Sequence, residues 1–202
     1  MATNFPGTLI VFEGIDGTGK STQLKLLAEA LEQSGTEVVS SREPTDGPFG
    51  KKLRASMLEG RLSREEELAL FHDDRRDHIE HLILPALEAG KTIILDRYYF
   101  STMAYQGARG FDPQEIRHQN EEFAPIPDHV ILLELPVEDA LQRIGVRDGS
   151  GNEFEKEENL RACESIFAGL RDSFITRIHA RQSLAEIHQQ VLSHLRANPE
   201  KL

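Results

Sequence analysis

The chain has 202 residues, with 23 Lys plus Arg against 34 Asp plus Glu, a net charge of −11 with neutral His. So acidic a balance excludes a general nucleic-acid binder and a protein that docks on anionic membranes, since both need a basic face. A single cysteine, Cys163, excludes an intrachain disulfide and a Cys-based zinc site, while 39% apolar residues leave enough for one packed core.

In chain order, Thr8–Glu13 is a short, nearly all-apolar run, as expected of a strand buried on both faces. A glycine-rich turn follows, and then Leu24, Leu27, Ala28 and Leu31 mark one face of an amphipathic helix that Gly35 ends. Residues 37–40 form a second predicted strand and 48–60 a short helix. Ser63 is the expected cap of a long helix, with Glu66 completing a capping box. That helix is expected to run to about Glu88, bent or broken at Pro85. Strands are predicted at 92–95, 128–134 and 175–180. Helices are predicted at 98–107, 113–123, 137–145, 155–172 and 184–196, the last capped by Ser183.

Alternating strands and helices imply right-handed crossovers and a doubly wound, five-stranded parallel α/β sheet in one domain. No run approaches the ~20 apolar residues of a membrane helix. Residues 1–7 show no secretory pattern, so a cytoplasmic protein without membrane partners is expected. His72, His78 and His81 show no metal spacing and are expected at the surface. Cys163 shares a stripe with Leu160, Phe167, Leu170 and Phe174 and is expected in the core.

Gly14-Ile15-Asp16-Gly17-Thr18-Gly19-Lys20-Ser21 fits G-x-x-x-x-G-K-[ST], between a buried strand and an amphipathic helix, the context this phosphate-binding loop requires. Glycines let backbone N–H groups converge on phosphate oxygens, and the helix start adds its positive dipole end. Lys20 supplies charge to the terminal phosphates and Ser21 a hydroxyl to Mg²⁺. Residues 14–22, including Thr22, are therefore the candidate ATP site. No N-K-x-D guanine signature is present, and Asp148–Gly151 fits D-x-x-G after a helix instead of a strand. A small-molecule kinase is favoured over a switch GTPase or a partner-driving ATPase.

Further segments carry a family resemblance: Phe12–Thr22, Arg42-Glu43-Pro44, Phe71-His-Asp-Asp-Arg75, Asp96-Arg97-Tyr98 and Ser101–Gly107. In register over nearly the whole chain, they resemble the thymidylate kinases of bacterial type. The resemblance implies a P-loop kinase fold with a short lid at about 143–158. It implies that Phe71 stacks on thymine and Arg75 bonds its O4. Arg97 and Arg42 would lie near the acceptor phosphate, and Asp16 at the sugar 3′-hydroxyl. Tyr105 would sit near the 2′ position, and Ser101 and Thr102 near the base. Asp96 would orient a Mg²⁺-bound water, and Glu43 would lie near the metal.

The family brings an arginine onto the transferring phosphoryl group, from the lid or, in one branch, from the phosphate loop. Here that loop position is Gly17, so Arg147 is the expected lid arginine, supported by Arg143. The lid itself departs from the pattern. Asn152-Glu153-Phe154-Glu155 carries Glu153 where the bacterial lid carries arginine, and residues 146–159 hold two basic against five acidic side chains. The implied reaction is ATP + dTMP ⇌ ADP + dTDP with Mg²⁺, in a homodimer. Two alternatives stay open: a kinase of another nucleoside monophosphate or deoxynucleoside, and a weakly active nucleotide-binding protein.

Overall fold

Five strands form one parallel sheet in the order β2-β3-β1-β4-β5. They are β1 (Thr8–Glu13), β2 (Val38–Arg42), β3 (Thr92–Asp96), β4 (His129–Glu134) and β5 (Ile175–His179). The computed structural model describes residues 5–59, 62–148 and 153–198, with side chains at 57–59, 146–148 and 153–156 outside the described set. All six residues of β1 are buried, as the continuous apolar run requires of a central strand. β1 is also where the strand order reverses, so its carboxyl end opens onto the crevice in which such sheets bind ligands. Register places Phe12 and Arg42 each opposite Asp96, so three chain segments arrive at that crevice level with one another.

Nine helices are described: α1 (Lys20–Gln33), α2 (Pro48–Glu59), α3 (Arg64–His78), α4 (Leu84–Glu88), α5 (Tyr99–Gly107), α6 (Pro113–Glu121), α7 (Val137–Asp148), α8 (Glu153–Gly169) and α9 (Leu184–Ala197). Both predicted serine caps form complete capping boxes, Ser63 with Glu66 and Ser183 with Glu186. The long helix does not simply bend at Pro85. Residues Ile79–Ile83 widen into a π-helical turn, in which the Leu84 N–H donates to Ile79 O. Proline has no N–H and its ring crowds the carbonyl four residues back, and a wider turn accommodates both. β2 extends to Arg42, two residues beyond expectation, because it pairs with β3 along its whole length.

Leu160, Cys163, Phe167 and Leu170 are buried as expected, with Phe174 packed at the core's margin. α5 packs on α3, α6 and α8, which sets its side chains between the sheet and the outer helices. His78 corrects an expectation: it is buried, not at the surface. Its Nδ1 lies 3.0 Å from Glu43 Oε1 and its Nε2 2.8 Å from the Ser41 hydroxyl. Polar partners on both ring nitrogens are what allow the imidazole inside. Asp74 is likewise buried, accepting from the Thr45 N–H at 2.8 Å and the Thr45 hydroxyl at 2.6 Å. No helix of the described residues is long and apolar enough to cross a membrane.

Candidate active site

Two clefts meet at the carboxyl end of the sheet. The first is built on the phosphate loop and is lined by Asp16, Gly17 and Gly19–Thr22 together with Asp96, Arg97 and Arg143. Its shape depends on glycine. A Cβ on Gly14 would lie 2.4 Å from Leu133 O, and Gly14 has φ +134°. A Cβ on Gly17 would lie 2.8 Å from Ala140 O of α7, at φ +84°. An arginine at position 17 therefore cannot be seated without moving α7, which agrees with a catalytic arginine coming from elsewhere in this chain.

Lys20 is buried and its Nζ donates to Gly14 O at 3.0 Å and Ile15 O at 2.9 Å. Burial, then Arg97, pulls its ammonium down to about 8, against Asp16, Asp96 and Glu13, which favour the charge. The Ser21 hydroxyl donates to Asp96 Oδ2. Arg143 reaches across from α7 to Gly17 O at 3.3 Å and Ala180 O at 2.8 Å. The Arg147 side chain, and residues 149–152 of the expected lid, lie outside the described residues.

The second cleft is lined by side chains from α3, α5 and the segment after β2, among them Phe71, Arg75, Thr102 and Tyr105. Arg75 is buried. Its Nε and Nη2 donate to Glu43 Oε2 at 2.9 and 2.6 Å, Nη2 also to the Thr102 hydroxyl at 3.0 Å, and Nη1 to Asn120 Oδ1 at 2.6 Å. Burial would raise the Glu43 carboxyl, but Arg75 and His78 outweigh it and hold the group below the usual carboxylate range.

Arg97 joins the two clefts. It is the one non-glycine residue with positive φ among those described, at 73°, and its N–H donates to Phe12 O at 2.9 Å. Its Nη2 bonds Asp16 Oδ1 at 2.6 Å and the Tyr105 hydroxyl at 3.2 Å, and Nη1 bonds the Ser101 hydroxyl at 2.9 Å. Burial would raise Asp16, but Arg97, Lys20 and the Tyr105 hydroxyl bring its carboxyl down to about 2. Asp16 is thus an anion throughout the neutral range.

Most of the expected site residues line these clefts; Gly14, Ile15, Thr18 and Arg42 line neither, and the Arg147 side chain is outside the described residues. Glu43 does not join Ser21 and Asp96 as a metal neighbour, because both of its oxygens are engaged by Arg75 and His78 in the wall of the second cleft. Arg42 lines neither cleft and pairs with Asp46 at 2.8 Å, both side chains being more than half exposed. Among the described residues no cluster of three or more His, Cys, Asp or Glu can hold a metal ion. Ser21 and Asp96, one hydroxyl and one carboxylate, suit Mg²⁺ that takes its remaining oxygens from phosphates and water.

Several residues in the cleft walls and buried behind them were not singled out from sequence. Glu13 is fully buried and accepts from the Tyr98 N–H at 2.8 Å, the Ser101 N–H at 3.1 Å and the Ser101 hydroxyl at 2.5 Å. Burial pushes its carboxyl up to about 7, against Ser101, Arg97, the Tyr98 N–H and Lys20. Glu67 accepts from Gln106 Nε2 at 2.9 Å and pairs with Arg109 at 2.6 Å. Its signal was present in the sequence: Glu67, Phe71 and Arg75 are spaced i, i+4, i+8 on one helix face. Asn120 carried no comparable signal.

The thymidylate kinase family model matches residues 12–191. The chain is similar to the thymidylate kinase of Akkermansia muciniphila, 55% identical over 185 residues, which cover 92% of this chain and 89% of that protein. It is 47% identical over 196 residues to the thymidylate kinase of Desulfotalea psychrophila, covering 96% of each. It is 50% identical over 165 residues to that of Xanthomonas campestris pv. campestris, covering 82% of this chain and 72% of the relative. With its phosphate loop, its parallel sheet and its second cleft around Phe71 and Arg75, the chain belongs to the thymidylate kinase family.

Proposed function

We propose that the chain transfers the γ-phosphoryl group of ATP to dTMP, giving ADP and dTDP for deoxythymidine nucleotide synthesis. The observation that carries this reading is Arg97, which bonds groups of both clefts from one guanidinium. The phosphate loop takes ATP through the backbone of residues 14–22 and the Lys20 ammonium. The second cleft takes dTMP, with thymine on Phe71 and O4 toward Arg75, a donor-only group suited to a carbonyl oxygen. Asp16 and Tyr105 face the sugar, Ser101 and Thr102 lie near the base, and Arg97 holds the acceptor phosphate.

A phosphate monoester is already an anionic nucleophile near neutral pH, so no general base is required. Alignment and charge neutralisation carry the rate. Lys20 and Arg97 neutralise donor and acceptor phosphates respectively. Ser21 and Asp96 would hold Mg²⁺, which would supply positive charge to offset that of the donor's phosphates. Arg147, supported by Arg143, acts from a lid at about 143–158 of a single catalytic domain. The protein works in the cytoplasm as a homodimer, on nucleotides alone and without nucleic-acid or membrane partners.

A coupled ADP-release assay over dTMP, dUMP, UMP, dCMP and dGMP tests the reading. The highest kcat/KM is expected with dTMP. Preference for another acceptor, or nucleotide binding without turnover, contradicts it.

A further inference from the structure

The guanidinium of Arg75 has five N–H groups, and the protein itself engages four of them. Glu43 Oε2 takes two, the Thr102 hydroxyl one and Asn120 Oδ1 one. Among the described residues the fifth, on Nη1, has no protein partner, and Arg75 lines the acceptor cleft. A planar group held at four of five donors has its plane and direction fixed. What fixes it comes from three separate segments: Glu43 after β2, Thr102 on α5 and Asn120 on α6.

Asn120 is fully buried and its orientation is unambiguous. Its Nδ2 donates to Ile116 O at 2.7 Å and lies 3.3 Å from His72 Nε2. Burial, then Arg75 and Arg76, pulls His72 down to about 4, so its ring is neutral near pH 7 and Nε2 can accept. With both amide hydrogens directed away, Oδ1 is left facing Arg75 Nη1. Glu43 is fixed in the same way from its far side, by His78 Nδ1 at 3.0 Å.

We propose that Asn120, backed by Ile116 O and His72, is a positioning residue that aims the one free Nη1 hydrogen of Arg75 into the cleft, and so sets discrimination for a 4-oxo over a 4-amino pyrimidine. The proposal rests on the assignment of this cleft to the acceptor base. A donor aimed at ring position 4 bonds a carbonyl oxygen and opposes an amine, which presents hydrogens of its own. Without Asn120, Nη1 has two free hydrogens and the guanidinium is held only through Nε and Nη2. The preference for O4 then weakens while the phosphate-handling groups stay in place.

The test is kcat/KM for dTMP and for dCMP, with ATP saturating, in the wild type, Asn120→Ala, Asn120→Leu and Asn120→Asp. Leu fills the volume if Ala does not fold, and thermal melts identify the folded variants. For Ala or Leu the dTMP-to-dCMP ratio is expected to fall about tenfold or more, the scale of one misplaced polar contact to a charged group. The loss should lie in KM for dTMP, with kcat at saturation within about threefold. Asp restores an acceptor to Nη1 and is expected to recover most of the ratio. A purely structural role lowers the active fraction, which reduces kcat for both acceptors and leaves the ratio untouched. A wild-type ratio in a folded Ala or Leu variant overturns the proposal. A wild type that does not favour dTMP at all overturns instead the functional reading beneath it.

Discussion

The two clefts are built by different means. Around the phosphate loop, much of the geometry is backbone: glycines at 14 and 17, carbonyls that receive Lys20 and Arg143, and the start of α1. Around Phe71 and Arg75 the geometry is side chain against side chain, buried and cross-bonded from α3, α5, α6 and the segment after β2. Backbone N–H groups bind any polyphosphate, whereas a fixed side-chain array reads one base. The first cleft should therefore set the rate and the second the choice of acceptor. Arg97, bonded to groups of both, belongs to each.

The sharpest way to break this division is at Lys20. Lys20→Ala is expected to lower kcat by about a thousandfold or more, while leaving the dTMP-to-dCMP ratio within about twofold. A collapsed ratio, measured at high enzyme concentration, would show that the clefts are not separable. Arg147→Ala should cost about a hundredfold or more in kcat with little change in KM, the scale of one lost donor to a charge that develops in the transition state. Unchanged turnover would remove Arg147 from the mechanism. Glu153→Arg is the converse, with faster turnover expected.

On the acceptor side the expected signature inverts. Phe71→Ala should raise KM for dTMP about tenfold to a hundredfold, the scale of one lost base–aromatic stack, with a smaller effect on kcat. A kcat loss with unchanged KM would place the base elsewhere.

The smallest effect concerns stability. Burial raises Glu13 from the ordinary 4.5 to about 7, so between those values the folded chain binds more protons than the unfolded one. Stability attributable to Glu13 is then fully present below pH 4.5, falls as pH rises to 7 and is flat above. Relative to Glu13→Gln, the wild-type melting temperature should decline over that window. A constant difference from pH 4.5 to 8 would contradict the assignment.

Much of this was legible in the sequence because the signals are local. The buried run of β1, the glycines of the phosphate loop and the serine caps at 63 and 183 each depend on residues a few positions apart. The capping box of Ser63 and Glu66 formed as read, Ser183 caps its helix as expected, and the five-stranded parallel sheet followed from the alternation of elements. The support of Arg75 was not legible in the same way. Its partners Glu43, Thr102 and Asn120 lie 32, 27 and 45 residues away and meet only once the sheet is assembled. Glu43 shows the consequence: the resemblance implied a place near the metal, and the fold sets it in the wall of the base cleft, bonded to Arg75 and His78. His78 was misjudged for the same reason, since only the folded chain brings Ser41 and Glu43 to its two nitrogens.

The division of labour is tested most directly by a crystal structure of the chain with dTMP and a non-hydrolysable ATP analogue. The account predicts the pyrimidine on Phe71, O4 at Arg75 Nη1, the 5′-phosphate at Arg97, and the triphosphate along residues 14–22 with Lys20 on it. A thymine seated anywhere but between Phe71 and Arg75, or a triphosphate held away from the glycine loop, would contradict it.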